Sequence, residues 1–269
     1  MLSLSLPEIA AFLALSAGSA VLFWRRLGPV VSRIGAAKVE PGFSLHPIGR
    51  RAKDFISEVL LQSKVIRERP LPGLAHAFVF WGFLAFALVT LNHFAAGLGF
   101  AFLTDGSAYF YFAGAFAVAV TISITGLFVR RFFVRPPWLG EHISKESGFI
   151  AGLIAILMLS FLGTFWTPES KLLWWTHTLA LLVFLPLVPH TKHLHLILSP
   201  FSVFLSRSGF AQIPPLEGDE DFGLHTGKDL TQITALQAYS CVECGRCMEH
   251  CPAANTGKEL NPKEIALGV

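Results

Sequence analysis

The chain has 269 residues, 53% of them hydrophobic and 14% charged, with 25 Phe and a mean hydropathy of +0.56. That composition excludes an ordinary soluble domain and describes a polytopic membrane protein. The net charge of +3 is too small to suggest a nucleic-acid partner, and the first apolar stretch does not read as a cleavable signal because its positive charges follow it.

Spanning a bilayer takes about 20 apolar residues. Five stretches qualify: Leu6–Trp24, Leu74–Phe100, Ala108–Val129, Gly148–Trp166 and Leu172–Leu198. Pro7 and Glu8 stand near the start of the first, where a proline is tolerated in the opening turn. A basic loop of about 25–73 follows, carrying Arg25, Arg26, Arg33, Lys38, Arg50, Arg51, Lys53, Lys64, Arg67 and Arg69. Within it, Ala52–Arg67 reads as one amphipathic interfacial helix with Phe55, Val59 and Val65 near one face. The next connection holds Asp105 and no Lys or Arg, whereas Arg130, Arg131 and Arg135 follow the third span. By the positive-inside rule both basic loops are cytoplasmic, the N-terminus is outside, and everything after Leu198 is inside. The expected location is the cytoplasmic (inner) membrane of a bacterium.

Residues 199–227 read as a linker, with Pro200, Pro214, Pro215 and the acidic group Glu217, Asp219, Glu220 and Asp221 taken as a solvated turn. From Lys228 to Tyr239 the spacing of Leu230, Ile233 and Leu236 predicts a short amphipathic helix. It leads into Cys241-Val-Glu-Cys244-Gly-Arg-Cys247-Met-Glu-His-Cys251-Pro252, which holds all four cysteines. C-x2-C-x2-C-x3-C-P is the bacterial ferredoxin spacing, in which thiolates hold a 4Fe-4S cluster. Zinc usually takes two C-x2-C pairs well apart or mixed Cys and His. Disulfides belong to oxidising compartments, and the topology places this run in the cytoplasm. In two-cluster ferredoxins the fourth cysteine of each run serves the other cluster, and the chain has no second run. Residues 228–269 therefore read as the start of a ferredoxin-like domain cut short, with Cys251 open between this cluster and a second one.

Of the ten histidines, four fall at membrane depth: His76 and His93 on the second span, His177 and His195 on the fifth. The two spans run antiparallel, so His76 pairs in level with His195 on the inside, and His93 with His177 on the outside. Ionisable residues inside a membrane are expensive and usually functional, which favours two bis-histidine haems over interhelical hydrogen bonds. On a straight helix the 18 positions from His177 to His195 make about five turns, putting both on one face roughly 27 Å apart. The 17 positions from His76 to His93 leave those two roughly 100° apart in azimuth, so the outer haem is the less regular. His190 and His193 compete for the inner position but are rotated by about 140° and 160° from the face of His177. They are read as interfacial or near a quinone, and Lys192 joins them as a candidate for proton supply or for holding headgroups. His46, His142, His225 and His250 read as surface residues or residues beside the cluster.

The stretch His177-Thr-Leu-Ala-Leu-Leu-Val-Phe-Leu-Pro-Leu-Val-Pro189-His-Thr-Lys192-His-Leu-His195 resembles the last span of the respiratory nitrate reductase gamma subunit, a five-span cytochrome b. Gly73-Leu-Ala-His76-Ala-Phe-Val-Phe-Trp81-Gly82, Gly245-Arg246 and Asn255-Thr-Gly257-Lys258-Glu-Leu-Asn-Pro262-Lys263 resemble the heterodisulfide-reductase-like branch, which includes proteins similar to electron-transfer-flavoprotein:quinone oxidoreductases. The family's second-span histidines are ten apart, but position 86 is Phe here, and His93 takes that ligand's place by inference. The resemblance implies an all-α membrane protein, a five-helix cytochrome b bundle over 1–198 with a small C-terminal ferredoxin-like segment. Electrons would pass from a cytoplasmic flavoprotein or iron-sulfur donor through the cluster and b-type haem to menaquinone. The alternatives are a quinol-linked heterodisulfide or sulfur-compound reductase subunit, and a non-enzymatic membrane-anchored iron-sulfur sensor or assembly factor.

Overall fold

A computed structural model describes residues 4–40, 42–136, 145–206 and 229–268. The acidic group of the linker, His142 and His225 lie outside the described residues. Among the described residues the chain is helical without a strand, and an isolated bridge joins Lys38 to Thr231. The helices are α1 (Leu6–Ala36), α2 (Ile48–Asp54), α3 (Ser63–Glu68), α4 (Pro70–Gly97), α5 (Ala108–Val129), α6 (Lys145–Gly163), α7 (Lys171–His190) and α8 (His195–Phe204). After the linker come α9 (Gln232–Tyr239), α10 (Arg246–Glu249), α11 (Pro252–Asn255) and α12 (Pro262–Gly268). Among these, α1, α4, α5 with its π-helical extension to Val134, α6 and α7 are long and apolar enough to cross a membrane.

Three elements differ from the sequence expectation. The first helix continues past Trp24 to Ala36, through Pro29. The expected Ala52–Arg67 helix is divided: α2 runs into a π-helical turn, Phe55–Leu60, and Gln62 takes a left-handed φ of 53° before α3 starts. The fifth span does not reach Leu198 as one helix. Pro186 and Pro189 deprive its last turns of two amide donors. Thr191 then turns extended at φ −129° and ψ 176°, and its side chain accepts from the amide of His193 to start a 3-10 turn, Lys192–Leu194. The premise of five unbroken turns between His177 and His195 therefore fails.

The chain divides into two compact units. The first comprises residues 1–24 and 62–187, and the second 25–61 and 188–269. In the first, α4, α5, α6 and α7 close on a core that includes Phe86, Val89, Ala117, Leu157, Phe161 and Ala180. Close approach comes from small residues, as is usual where lipid supplies no hydrophobic drive. A Cβ on Gly82 would collide with Val120, and one on Gly114 would stand 2.7 Å from Cζ of Phe165. Ser107 caps α5 by accepting from the amide of Phe110, and Pro70 opens α4 at the first position, where its missing N–H costs nothing. Ser19 of α1 donates to the carbonyl of Leu182 on α7 at 2.7 Å, a buried polar tie.

In the second unit the end of α1 is fastened to the segment ahead of the cysteines. The amide of Lys38 donates to Leu230 at 3.0 Å, the amide of Gln232 donates to Lys38 at 2.8 Å, and Lys38 Nζ pairs with Asp229 at 2.9 Å. Leu230, Ile233 and Leu236 are all buried, but the helix begins only at Gln232, so Leu230 precedes α9 and only Ile233 and Leu236 lie on its buried face. Arg51, buried on α2, donates to the carbonyls of Ser44, Leu45, Phe204 and Ser206. Two of these belong to the last turn of α8 and its exit, where carbonyls lack intrahelical partners and the helix dipole favours a cation.

Candidate functional site

Within the first unit the structure brings His93 and His177 together. Their ring centroids are 4.7 Å apart, inclined at 51°. His177 is buried on α7, and its Nδ1 lies 2.9 Å from Ser160 Oγ on α6. Ser160 spends its one hydroxyl hydrogen on the carbonyl of Leu157 at 3.1 Å. The imidazole must then donate from Nδ1, which leaves the lone pair on Nε2, the tautomer a metal-ligating histidine needs. His93 is held differently. Its Nε2 lies 2.7 Å from Thr178 Oγ1, and its ring stacks on Trp174 at 5.0 Å and 17°.

These residues fit a bis-histidine haem by donor chemistry. To hold one metal between the two rings, His93 would have to exchange its bond to Thr178. Trp174 Nε1 is a buried donor with no acceptor among the described residues, beside His93, and would suit a propionate. Phe86 is a core residue packed edge-on against Phe161 at 4.9 Å.

The other two candidates belong to different units and are described separately. His76, in the first, donates from Nδ1 toward Gln62 Oε1 at 3.2 Å, a bond that the left-handed turn at Gln62 places. His195, in the second, donates from Nδ1 to the carbonyl of Lys192 at 2.8 Å. His193 bonds Thr191 Oγ1 at 3.1 Å, while His46, His190 and His250 are exposed.

All four cysteines are free thiols. Cys241 follows the end of α9, with its amide on Ala238 at 3.1 Å; Cys247 lies on α10; Cys251 caps α11, its sulfur accepting from the amide of Ala254 at 3.5 Å. Glu243 at φ 53° and Gly245 at φ 77° are left-handed. Left-handed residues in a short loop turn successive amides toward one side, as loops that hold anions and iron-sulfur clusters do. Among the described residues no three His, Cys, Asp or Glu side chains converge closely enough to hold a metal. The run fits a cluster by its thiols, its spacing and its N–H to sulfur contact, and the four side chains must draw together around it.

Two curated proteins are similar to this chain. "EtfAB:quinone oxidoreductase" of Syntrophomonas wolfei is 30% identical over 249 residues, covering 75% of this chain and 35% of that protein. "Probable iron-sulfur-binding oxidoreductase FadF" of Bacillus subtilis is 28% identical over 251 residues, covering 77% and 35%. This chain thus spans 35% of the length of the curated relatives it matches. No family model and no solved structure matches it.

Sequence reasoning did not find Ser160, Thr178, Trp174 or Gln62. Each acts across a helix or loop boundary, and no spacing along one helix marks it. Arg51 was visible only as one charge in a basic loop.

Proposed function

We propose that this chain is the membrane portion of a quinone-linked oxidoreductase, exchanging electrons between a cytoplasmic iron-sulfur segment and menaquinone. One combination carries the reading: ferredoxin-spaced thiols stand on the same chain as five membrane-length helices that bury His93 against His177. The names of the two relatives, one a quinone oxidoreductase and one an iron-sulfur-binding oxidoreductase, support it. A soluble flavoprotein of the electron-transfer-flavoprotein class is the proposed donor. Bound 4Fe-4S and b-type haem groups would supply one-electron carriage.

The chain's own residues provide the setting. Cys241, Cys244 and Cys247 hold the cluster, with Cys251 either completing it or serving a second one. His93 and His177 are the proposed ligands of a haem. Ser160 fixes the tautomer of His177, which leaves Nε2 as the nitrogen that would hold the group. The basic loops put the cysteine segment on the cytoplasmic side.

A reduced-minus-oxidised absorbance spectrum of the purified chain, with iron and acid-labile sulfide analysis, tests this. A b-type spectrum and a filled cluster are expected. His177→Ala should remove haem and spare the sulfide, and Cys244→Ser should do the reverse. A chain with full iron and sulfide but no b-type absorbance would overturn the haem assignment. It would leave the hydrogen bonds of His93 and His177 as structural ties in a membrane-anchored iron-sulfur sensor or assembly factor, the reading favoured by the contact between His93 and Thr178.

A further inference from the structure

We propose that the second unit contains a binding site for a quinone headgroup, in the cavity between the last turns of α1, the end of α7 and α9. The inference rests on the reading of the chain as a quinone-linked electron carrier. It adds where the quinone goes. The cavity measures about 490 Å³, within the range of roughly 300–1,000 Å³ typical of small-molecule sites.

Its walls match the chemistry of such a ring. Val30, Leu194, Leu230 and Ala235 are between 4% and 7% exposed and form an apolar lining. Into the same lining comes Lys192, whose side chain is 8% exposed, with the carboxylate of Glu243 at 4.0 Å, the outer limit of an ion pair. The phenol of Tyr239 is a second polar group in the wall, accepting from Arg33 at 3.4 Å. An ammonium and a phenol set in an apolar cavity suit a flat neutral ring carrying two carbonyl oxygens. Arg26, Arg33 and His190 also line the cavity, so an anionic headgroup is the competing occupant, and competition with anionic phospholipid separates it from a quinone.

Cys241, the first thiol of the run, also lines the cavity. A quinone there would lie against the loop that holds the cluster. The break at Thr191 makes the site. An unbroken α7 would carry Lys192 onward in a regular helical turn, whereas the extended Thr191 and the 3-10 turn redirect it.

Photolabelling of the full chain in lipid nanodiscs with an azido-naphthoquinone, with and without excess menaquinone, tests the proposal. Competed label is expected on peptides covering 188–194 and 230–241. Lys192→Gln should lower it about tenfold, the effect of losing a hydrogen bond to a charged donor, and Lys192→Arg should restore most of it. Ala238→Phe, which fills the cavity from α9 and leaves Lys192 in the sequence, should lower it comparably. Both should keep wild-type iron and sulfide, and if Lys192→Gln loses the cluster, Ala238→Phe alone decides. Competed label confined to other helices overturns this site and leaves the quinone-linked reading standing. No competed label anywhere overturns both. Label displaced by anionic phospholipid and not by menaquinone makes the cavity a headgroup site for lipid and overturns the proposal.

Discussion

Ser160→Ala is the sharpest test of the membrane site. Ser160 is 4% exposed and His177 5%, so neither water nor lipid headgroups can replace the lost hydroxyl. The substitution removes the acceptor 2.9 Å from His177 Nδ1. A buried donor left without a partner costs roughly 1–3 kcal/mol. The carbonyl of Leu157 loses a side-chain donor but retains a place in the backbone ladder of α6, so its contribution is smaller. With about 2 kcal/mol lost and about 2–4 °C per kcal/mol for a chain of this size, the unfolding temperature of the haem-free protein should fall by roughly 4–8 °C. Removing an orienting partner of a metal-bound histidine typically lowers affinity about 10–100-fold, so haem titration should show a loss of that order. Ser160→Thr keeps the hydroxyl and should recover most of both. Wild-type unfolding and wild-type haem affinity in Ser160→Ala would refute the assignment of the His177 tautomer.

Three further outcomes follow from the packing. Thr178→Val should destabilise the haem-free protein by about 1–2 kcal/mol, because His93 Nε2 loses its partner, and leave the haem-loaded protein unchanged; equal loss in both forms would make His93 a structural residue. Arg51→Gln removes a guanidinium that serves four carbonyls, and should cost about 3 kcal/mol. Hydrogen exchange should quicken around residues 200–206, and protection equal to wild type would count against the clamp. Gly114→Leu should lower the unfolding temperature through overpacking of about 1–3 kcal/mol, since Phe165 Cζ stands 2.7 Å from where a Cβ would be; a tolerated leucine would show that α5 has room to move.

What the sequence made legible was what repeats along one element. Five apolar stretches gave the membrane helices, the three-residue spacing of Leu230, Ile233 and Leu236 pointed to α9, and the cysteine spacing gave the candidate ligands. The outer pair was also anticipated, because counting residues from opposite ends of antiparallel spans set His93 level with His177. What stayed hidden depends on groups that meet only after folding. Ser160 is polar in an apolar run and looked like an ordinary small residue at a helix contact. Gln62 ends a helix by adopting a left-handed turn, a choice rewarded by its contact with His76, which no local propensity encodes. The two prolines of α7 were visible, yet the five-turn count treated the segment as a straight rod; a proline pair this close to a helix end more often stops it.

The break after Pro189 also sets the orientation of His195. His177 and His195 both donate from Nδ1 to an oxygen and so keep Nε2 as the basic nitrogen, although different elements impose it: a serine hydroxyl on α6 for the one, the backbone carbonyl of Lys192 for the other. The carbonyl of Lys192 takes a backbone amide at the end of the 3-10 turn and the imidazole of His195 on its other lone pair, so the interruption that spoils the spacing argument also orients His195. His193, two residues away, has its Nδ1 3.1 Å from the side chain of Thr191, where either atom can donate. The orientation of His195 thus comes from local hydrogen bonding at the 3-10 turn and not from its distance along a helix from His177.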